Sequence, residues 1–249
     1  MTERLQKLLA QRGITSRRGA ERLISEGRVT VNGKVAEIGQ QADAQVDRIC
    51  VDGADIGEPP GCEYLLLNKP KGVVSTCDDP QGRRTVLDLL DAELRSGLGI
   101  HPVGRLDADS TGALLLTNDG QLTYRLTHPR HQLPKVYQVR VKGSPSDATL
   151  KRWRKGVMLE GRKTAPAEVT LIRKLPEAQT LLRVVLTEGR NRQIRRVAEG
   201  LGHPVTALHR TKIGSLSLGN LPRGQYRLLS ENEVARLKRV SELSVDVST

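Results

Sequence analysis

The chain has 249 residues, 37% of them hydrophobic, enough to bury a core in one large domain or two smaller ones. Its net charge of +12 points to an anionic partner, of which nucleic acid is the commonest. Aromatic residues are only 2% of the chain, with no Phe, which excludes modules that stack several bases on ring platforms.

No run approaches the ~18 apolar residues of a membrane span, so no membrane partner is expected. The opening residues Met1-Thr2-Glu3-Arg4 lack the apolar core of a signal peptide. Cys50, Cys62 and Cys77 are odd in number and show no CxxC spacing. They form no disulfide framework or zinc site and fit a reducing cytoplasm as packing residues.

Residues 1–56 read as one small unit. Arg4–Ala10 has helical apolar spacing, and Ser16 is placed to cap a second helix whose apolar face is Ala20, Leu23 and Ile24. Arg28–Val31 alternates like a strand, Asn32-Gly33 is a hairpin turn signal, and Ile49–Gly53 reads as a further strand and turn. Arg4, Lys7, Arg12, Arg17, Arg18, Arg22, Arg28 and Lys34 face only three acids within the first 35 residues, Glu3, Glu21 and Glu26. Such a cluster on a short helix pair can neutralise several phosphates, although charge runs are usually solvated faces.

Gly57-Glu58-Pro59-Pro60-Gly61 opens a linker at 57–62. Beyond it, 63–239 reads as the main domain. Tyr64–Asn68 is a buried strand running into the basic turn Lys69-Pro70-Lys71-Gly72. Next comes Gly104-Arg105-Leu106-Asp107-Ala108-Asp109-Ser110-Thr111-Gly112, a polar turn followed by the apolar run Ala113–Leu116. That order can hold a carboxylate at a rigid edge, which suits a catalytic group. Strands follow at 136–141, 168–172 and 181–186, and helices at Asp147–Lys155, Arg192–Gly200 and Glu231–Arg239. Strands and helices interleave without a GxGxxG turn, so the expected class is α+β rather than a doubly wound nucleotide-binding fold. The polar stretch 240–249 is read as a tail.

Metal chemistry is not expected. His128 and His131 lie three apart, but Pro129 intervenes and no carboxylate or cysteine partner has ligand spacing; His101, His203 and His209 are scattered. No P-loop or GxSxG elbow occurs, which argues against ATP hydrolysis and serine hydrolase chemistry.

Several strings carry a family resemblance. Residues 4–34, RLQKLLAQRGITSRRGAERLISEGRVTVNGK, resemble the S4 RNA-binding domain, which implies a helix–helix–hairpin module gripping RNA with Ser16, Arg17 and Arg18 at the start of its recognition helix. GRLDADSTGALLLTNDG resembles the signature of pseudouridine synthases, in the branch that carries an S4 domain and modifies ribosomal RNA. YLLLNKPKGVVST, KVYQVRVKG and LTEGRNRQIRRVAEGLGHPVTALHRTKIGSLSLGNLPRGQYRLL resemble that branch's opening strand, tyrosine strand and arginine motif with closing segment. One departure is Ser110, where the family usually has Thr; the hydroxyl is retained.

The resemblance implies a mixed, largely antiparallel β-sheet catalytic domain and the isomerisation of a uridine in ribosomal RNA or a pre-ribosomal particle, by a monomer needing no cofactor. It assigns Asp107 as the catalytic carboxylate, nucleophile or base at the sugar, and Tyr137 as the ring on the base. Arg195 is implied as the cation paired with Asp107; its alternative is a phosphate contact. Arg105 is implied at the disrupted base stack, against the alternative of a structural salt bridge. Ile194 or Leu186 would floor the uracil. Lys69, Lys71, Arg190, Arg192 and Arg196 are expected on phosphate, while Asp109 and Asp119 read as turn or capping residues. The target base must leave its stack before the chemistry. A non-catalytic assembly factor with the same fold is the alternative; a tRNA ligase would need a nucleotide-binding motif that the sequence lacks.

Overall fold

The computed structural model describes residues 2–243 except 129, 131 and 132. His131 and residues 244–249 of the expected tail therefore lie outside the described residues.

In the N-terminal part, helices Leu5–Gln11 and Arg17–Ser25 pack on a four-stranded sheet of Lys34–Val35, Val29–Val31, Ile49–Val51 and Ala54–Asp55, in that order. Ser16 caps the second helix as its sequence position suggested: its hydroxyl accepts from Gly19 N at 3.1 Å. Both hairpin turns place two residues at positive φ, Asn32 and Gly33 at 52° and 78°, Asp52 and Gly53 at 51° and 81°. Two-residue turns of that kind match the twist of the flanking strands. The apolar core here, including Leu5, Leu9, Ile24, Val29 and Ile49, draws only on residues between Leu5 and Ile56. This part meets the rest of the chain backbone to backbone: a Cβ on Gly13 would lie 2.0 Å from the Gly97 carbonyl oxygen, and one on Gly99 would lie 2.7 Å from that of Ala10.

The larger part is built on a nine-stranded mixed sheet. Its main path runs Glu168–Leu175, Gln179–Leu186, Lys135–Lys142, Val205–Ile213, Thr111–Thr117, Tyr64–Lys69 and Tyr226–Leu228. Every pairing on this path is antiparallel except Val205–Ile213 with Thr111–Thr117, where Arg210 lies against Gly112. The two leucine-rich strands read as continuous apolar runs because both faces are covered. Leu65, Leu67, Leu114 and Leu116 enter one cluster, while Leu66, Ala113 and Leu115 enter another. The Lys135–Lys142 strand instead alternates, burying Tyr137, Val139 and Val141 against helices Asp147–Arg154 and Gln193–Gly200.

Among the elements not read from sequence are a helix and a long strand. Gly120–Thr127 is a helix, N-capped by Asp119 through Leu122 N at 2.8 Å, so Asp119 is a cap as expected. Val205–Ile213 is a strand whose buried positions include an arginine, which hides its apolar pattern. The last helix also runs past the expected Arg239 to Leu243.

Candidate active site

The Gly104–Gly112 loop is fixed from several sides. The Ser75 hydroxyl donates to Leu106 O at 2.9 Å and accepts from Leu106 N at 3.2 Å. Gly72 N donates to Ala108 O at 2.7 Å, and Ser110 N closes a turn on Asp107 O at 3.0 Å. Gly112, at φ 109°, ends the loop against Arg210, where a Cβ would lie 2.2 Å from the carbonyl oxygen. Only glycine fits that approach. The Asp107 carboxylate, its side chain 27% exposed, is thereby held at a cleft of about 880 Å³. That volume lies within the roughly 300–1,000 Å³ of small-molecule sites, room for one extruded nucleotide.

Tyr137, Ile194 and Leu186 are buried side chains that line this cleft, and Arg105 lies exposed on it. Arg192 and Arg190 also line it. Lys71 is exposed, as are Arg17 and Arg18 at the start of their helix. These residues were singled out in the sequence, and the fold brings the first six to one place.

Three expectations need correction. The cation nearest Asp107 is Arg192, whose Nη1 lies 3.4 Å from Oδ2. Arg195 turns instead to Asp109 O at 3.1 Å, Ser110 Oγ at 3.2 Å and the Asp109 carboxylate at 3.3 Å. The cause is the capping position: Arg192 has φ 47°, which throws its side chain across the loop, while Arg195 lies one turn on and meets the loop backbone. Asp109 is correspondingly more than a turn residue. Arg192 grips it with two nitrogens at 3.2 and 3.1 Å. Burial pushes its carboxyl pKa up, but the Arg192 hydrogen bond and the charges of Arg195 and Arg192 prevail and hold it below the ordinary value.

Lys69 is the third. It belongs to the Tyr64–Lys69 strand, is 0% exposed, and its ammonium donates to Ser110 O and Pro70 O at 3.0 Å each. It props the loop from beneath and touches no solvent-side phosphate. Burial lowers its pKa to about 8 despite the charges of Asp107 and Asp109. Arg190 and Arg196 are also partly committed within the protein, Arg190 to Leu159 O and Arg162 O at 2.7 and 3.0 Å, Arg196 to Glu160 at 2.6 Å.

Lys135 and Arg210 are two cations on the cleft that had no assigned role. Lys135 stands two before Tyr137, so the alternation of its strand placed both on one face, a signal present in the sequence. Arg210 gave no comparable signal, because the pairing that brings it to Gly112 is parallel and joins distant segments.

Residues 63–199 match the family described as RNA pseudouridylate synthase, and residues 3–44 match the S4 domain. A Bacillus subtilis protein named ribosomal large subunit pseudouridine synthase B is 42% identical over 96% of this chain and 97% of its own length. An uncharacterized RNA pseudouridine synthase of Mycobacterium tuberculosis is 44% identical over 94% of this chain and 92% of its own. A crystal structure of a pseudouridylate synthase, 32% identical, covers 94% of this chain and 99% of that one with a TM-score of 0.66. The chain belongs to the RNA pseudouridylate synthase family, the isomerases that convert uridine in RNA to pseudouridine, and carries an S4 RNA-binding domain ahead of its catalytic domain.

Proposed function

We propose that the protein isomerises a uridine in large-subunit ribosomal RNA, with Asp107 as the catalytic carboxylate. One observation carries the reading: Asp107 stands in a loop anchored by Lys69, Ser75, Gly72 and Arg195, at a cleft whose other walls include Tyr137 and Ile194. Preorganisation of this kind keeps a carboxylate aimed at the sugar without reorganisation during the reaction. The name of the Bacillus relative supports the RNA class. In this reading residues 1–56 dock on RNA through Arg17 and Arg18, and 63–239 perform the chemistry in a cytoplasmic monomer.

Breaking C1′–N1, turning the uracil and forming C1′–C5 leaves the composition of the nucleotide unchanged. No oxidant, reductant or transferred group is needed. Tyr137 packs on the base, Ile194 and Leu186 supply apolar floor, and Arg105 meets the stack the uridine has left.

Ribosomal RNA carrying tritium at uridine C5 tests the reading, because isomerisation releases that hydrogen to water. The protein should release label, and Asp107→Asn should bind the RNA yet release none. Release by the Asn variant would overturn the assignment of Asp107. RNA binding by the unaltered protein without release would instead support a non-catalytic assembly factor.

A further inference from the structure

At the base of the cleft lie two cations that the roles above leave unused. Arg210 is 4% exposed, its Nε donates to Ala113 O at 2.7 Å, and its Nη2 is buried with no hydrogen-bond partner. Lys135 Nζ spends one donor on Leu133 O at 3.1 Å. Neither forms an ion pair among the described residues. The two acids on the lining are engaged elsewhere, Asp107 by Arg192 and Glu188 by Ala165 N at 2.9 Å and Gln193 Nε2 at 2.5 Å. Register places both cations on the face of Tyr137, for Arg210 is its cross-strand partner and Lys135 stands two residues before it. Arg210 also abuts Gly112, the end of the Asp107 loop.

A buried arginine and a half-buried lysine side by side with no ion-paired acid are costly, and partial burial with the Arg210 charge lowers the Lys135 pKa to about 8. Such an arrangement is stabilised when negative charge arrives between the cations. Backbone phosphates stay at the exposed rim. The part of an extruded nucleotide that reaches a buried floor among Leu115, Leu133 and Ile213 is the base.

We propose that Lys135 and Arg210 hold the carbonyl oxygens of the uracil and stabilise the anion it becomes when C1′–N1 breaks. This rests on the isomerase reading above. The C1′–N1 bonding pair leaves with N1, and the charge spreads onto O2 and O4, where the two cations receive it. The detached base turns while still held. Its C5 then bonds C1′, and the proton lost from C5 balances one gained at N1.

The test compares single-turnover rates on RNA carrying uridine or 5-fluorouridine at the target position, read as loss of the N-glycosidic nucleoside after digestion. Fluorine makes the departing anion less basic and so less dependent on outside charge. Lys135→Met should slow uridine by about 100-fold, the usual size of a lost anion-stabilising donor. It should slow 5-fluorouridine far less, with a loss of RNA affinity much smaller than the loss of rate. Lys135→Arg should recover most of the uridine rate, and Arg210→Lys should follow the Lys135→Met pattern more weakly. Equal slowing of both substrates, with weakened affinity or a lowered melting temperature, would mean a phosphate contact or a structural role and overturn the proposal. Failure of the unaltered protein on uridine itself would count against the isomerase reading instead.

Discussion

Arg192 lies 3.4 Å from the Asp107 carboxylate, while Arg195, one helical turn further on, holds the backbone and carboxylate of Asp109. Both arginines hold the loop through Asp109, but among the described residues only Arg192 also reaches the proposed catalytic carboxylate, and only Arg195 bonds the loop backbone. Their surroundings differ accordingly: the Arg192 side chain is 43% exposed and that of Arg195 only 13%. Arg192→Ala is expected to lower kcat about tenfold, roughly 1.4 kcal/mol of barrier, with little change in melting temperature. Arg195→Ala leaves Asp109 O and Ser110 Oγ without their donor, and should lower both kcat and stability, the latter by about 2 kcal/mol. Paired thermal melts and single-turnover rates separate the two; equal loss of stability in both variants would refute the division.

The close approach of Gly112 to Arg210 makes a second prediction. An alanine there meets the Arg210 carbonyl oxygen at 2.2 Å and its nitrogen at 2.7 Å, both rigid backbone, at φ 109°. Strain and displacement together should cost about 3 kcal/mol, or roughly 6–12 °C in melting temperature for a chain of this size. Gly120→Ala is the control. A Cβ at Gly120, the first residue of its helix, meets nothing within 4 Å, so that variant should melt as the unaltered protein does.

Sequence patterns expose some of these features and hide others for identifiable reasons. The Lys135–Lys142 alternation and the Asn32-Gly33 turn are local, so the strand and the hairpin can be read directly. The ends of the Leu65–Leu67 run are less plain: Lys69 looks like a surface lysine before a proline, yet it closes the strand opposite Gly112 and is buried. The partner of Asp107 depends on the left-handed φ of Arg192, a non-glycine residue 85 positions away, where no periodicity signals it. Arg210 reaches the site only through a parallel pairing between remote strands.

RNA docking by the N-terminal unit gives a third prediction. Arg17 and Arg18 are exposed at the start of their helix, which places their charge at a terminus already favourable to phosphate. Replacing both with Ala should weaken binding of a ribosomal stem-loop. The slope of log affinity against log salt should fall by about 1.4–1.8, the contribution of two phosphate contacts. Fluorescence anisotropy from low to moderate salt measures this. Single-turnover chemistry at saturating RNA should be unchanged, because neither residue lines the cleft. An unchanged slope would place the contact elsewhere on the unit.

The last prediction concerns acid and the C-terminal helix. Ser230 and Glu233 form a reciprocal cap, Ser230 N donating to Glu233 Oε2 at 3.0 Å and Glu233 N to Ser230 Oγ at 3.3 Å. Arg227, from the last strand of the sheet, grips the same carboxylate with two nitrogens at 2.8 and 2.7 Å. The Arg227 hydrogen bonds outweigh the opposing effect of burial and hold Glu233 at about 2, below the ordinary 4.5 of a glutamate. A carboxyl depressed on folding stabilises the native state above its unfolded pKa and loses that contribution as pH falls through the folded one. The urea midpoint of the unaltered protein should therefore exceed that of Glu233→Gln by its full margin at pH 6, and the gap should narrow steadily between pH 4.5 and pH 2. Amide protection factors, corrected for the intrinsic pH dependence of exchange, should fall in the first turn of the Glu231–Leu243 helix over the same interval in the unaltered protein, because the cap that ties this turn to the sheet is then protonated. A gap that stays constant from pH 6 to pH 2 would show that the Arg227–Glu233 pair does not anchor the helix.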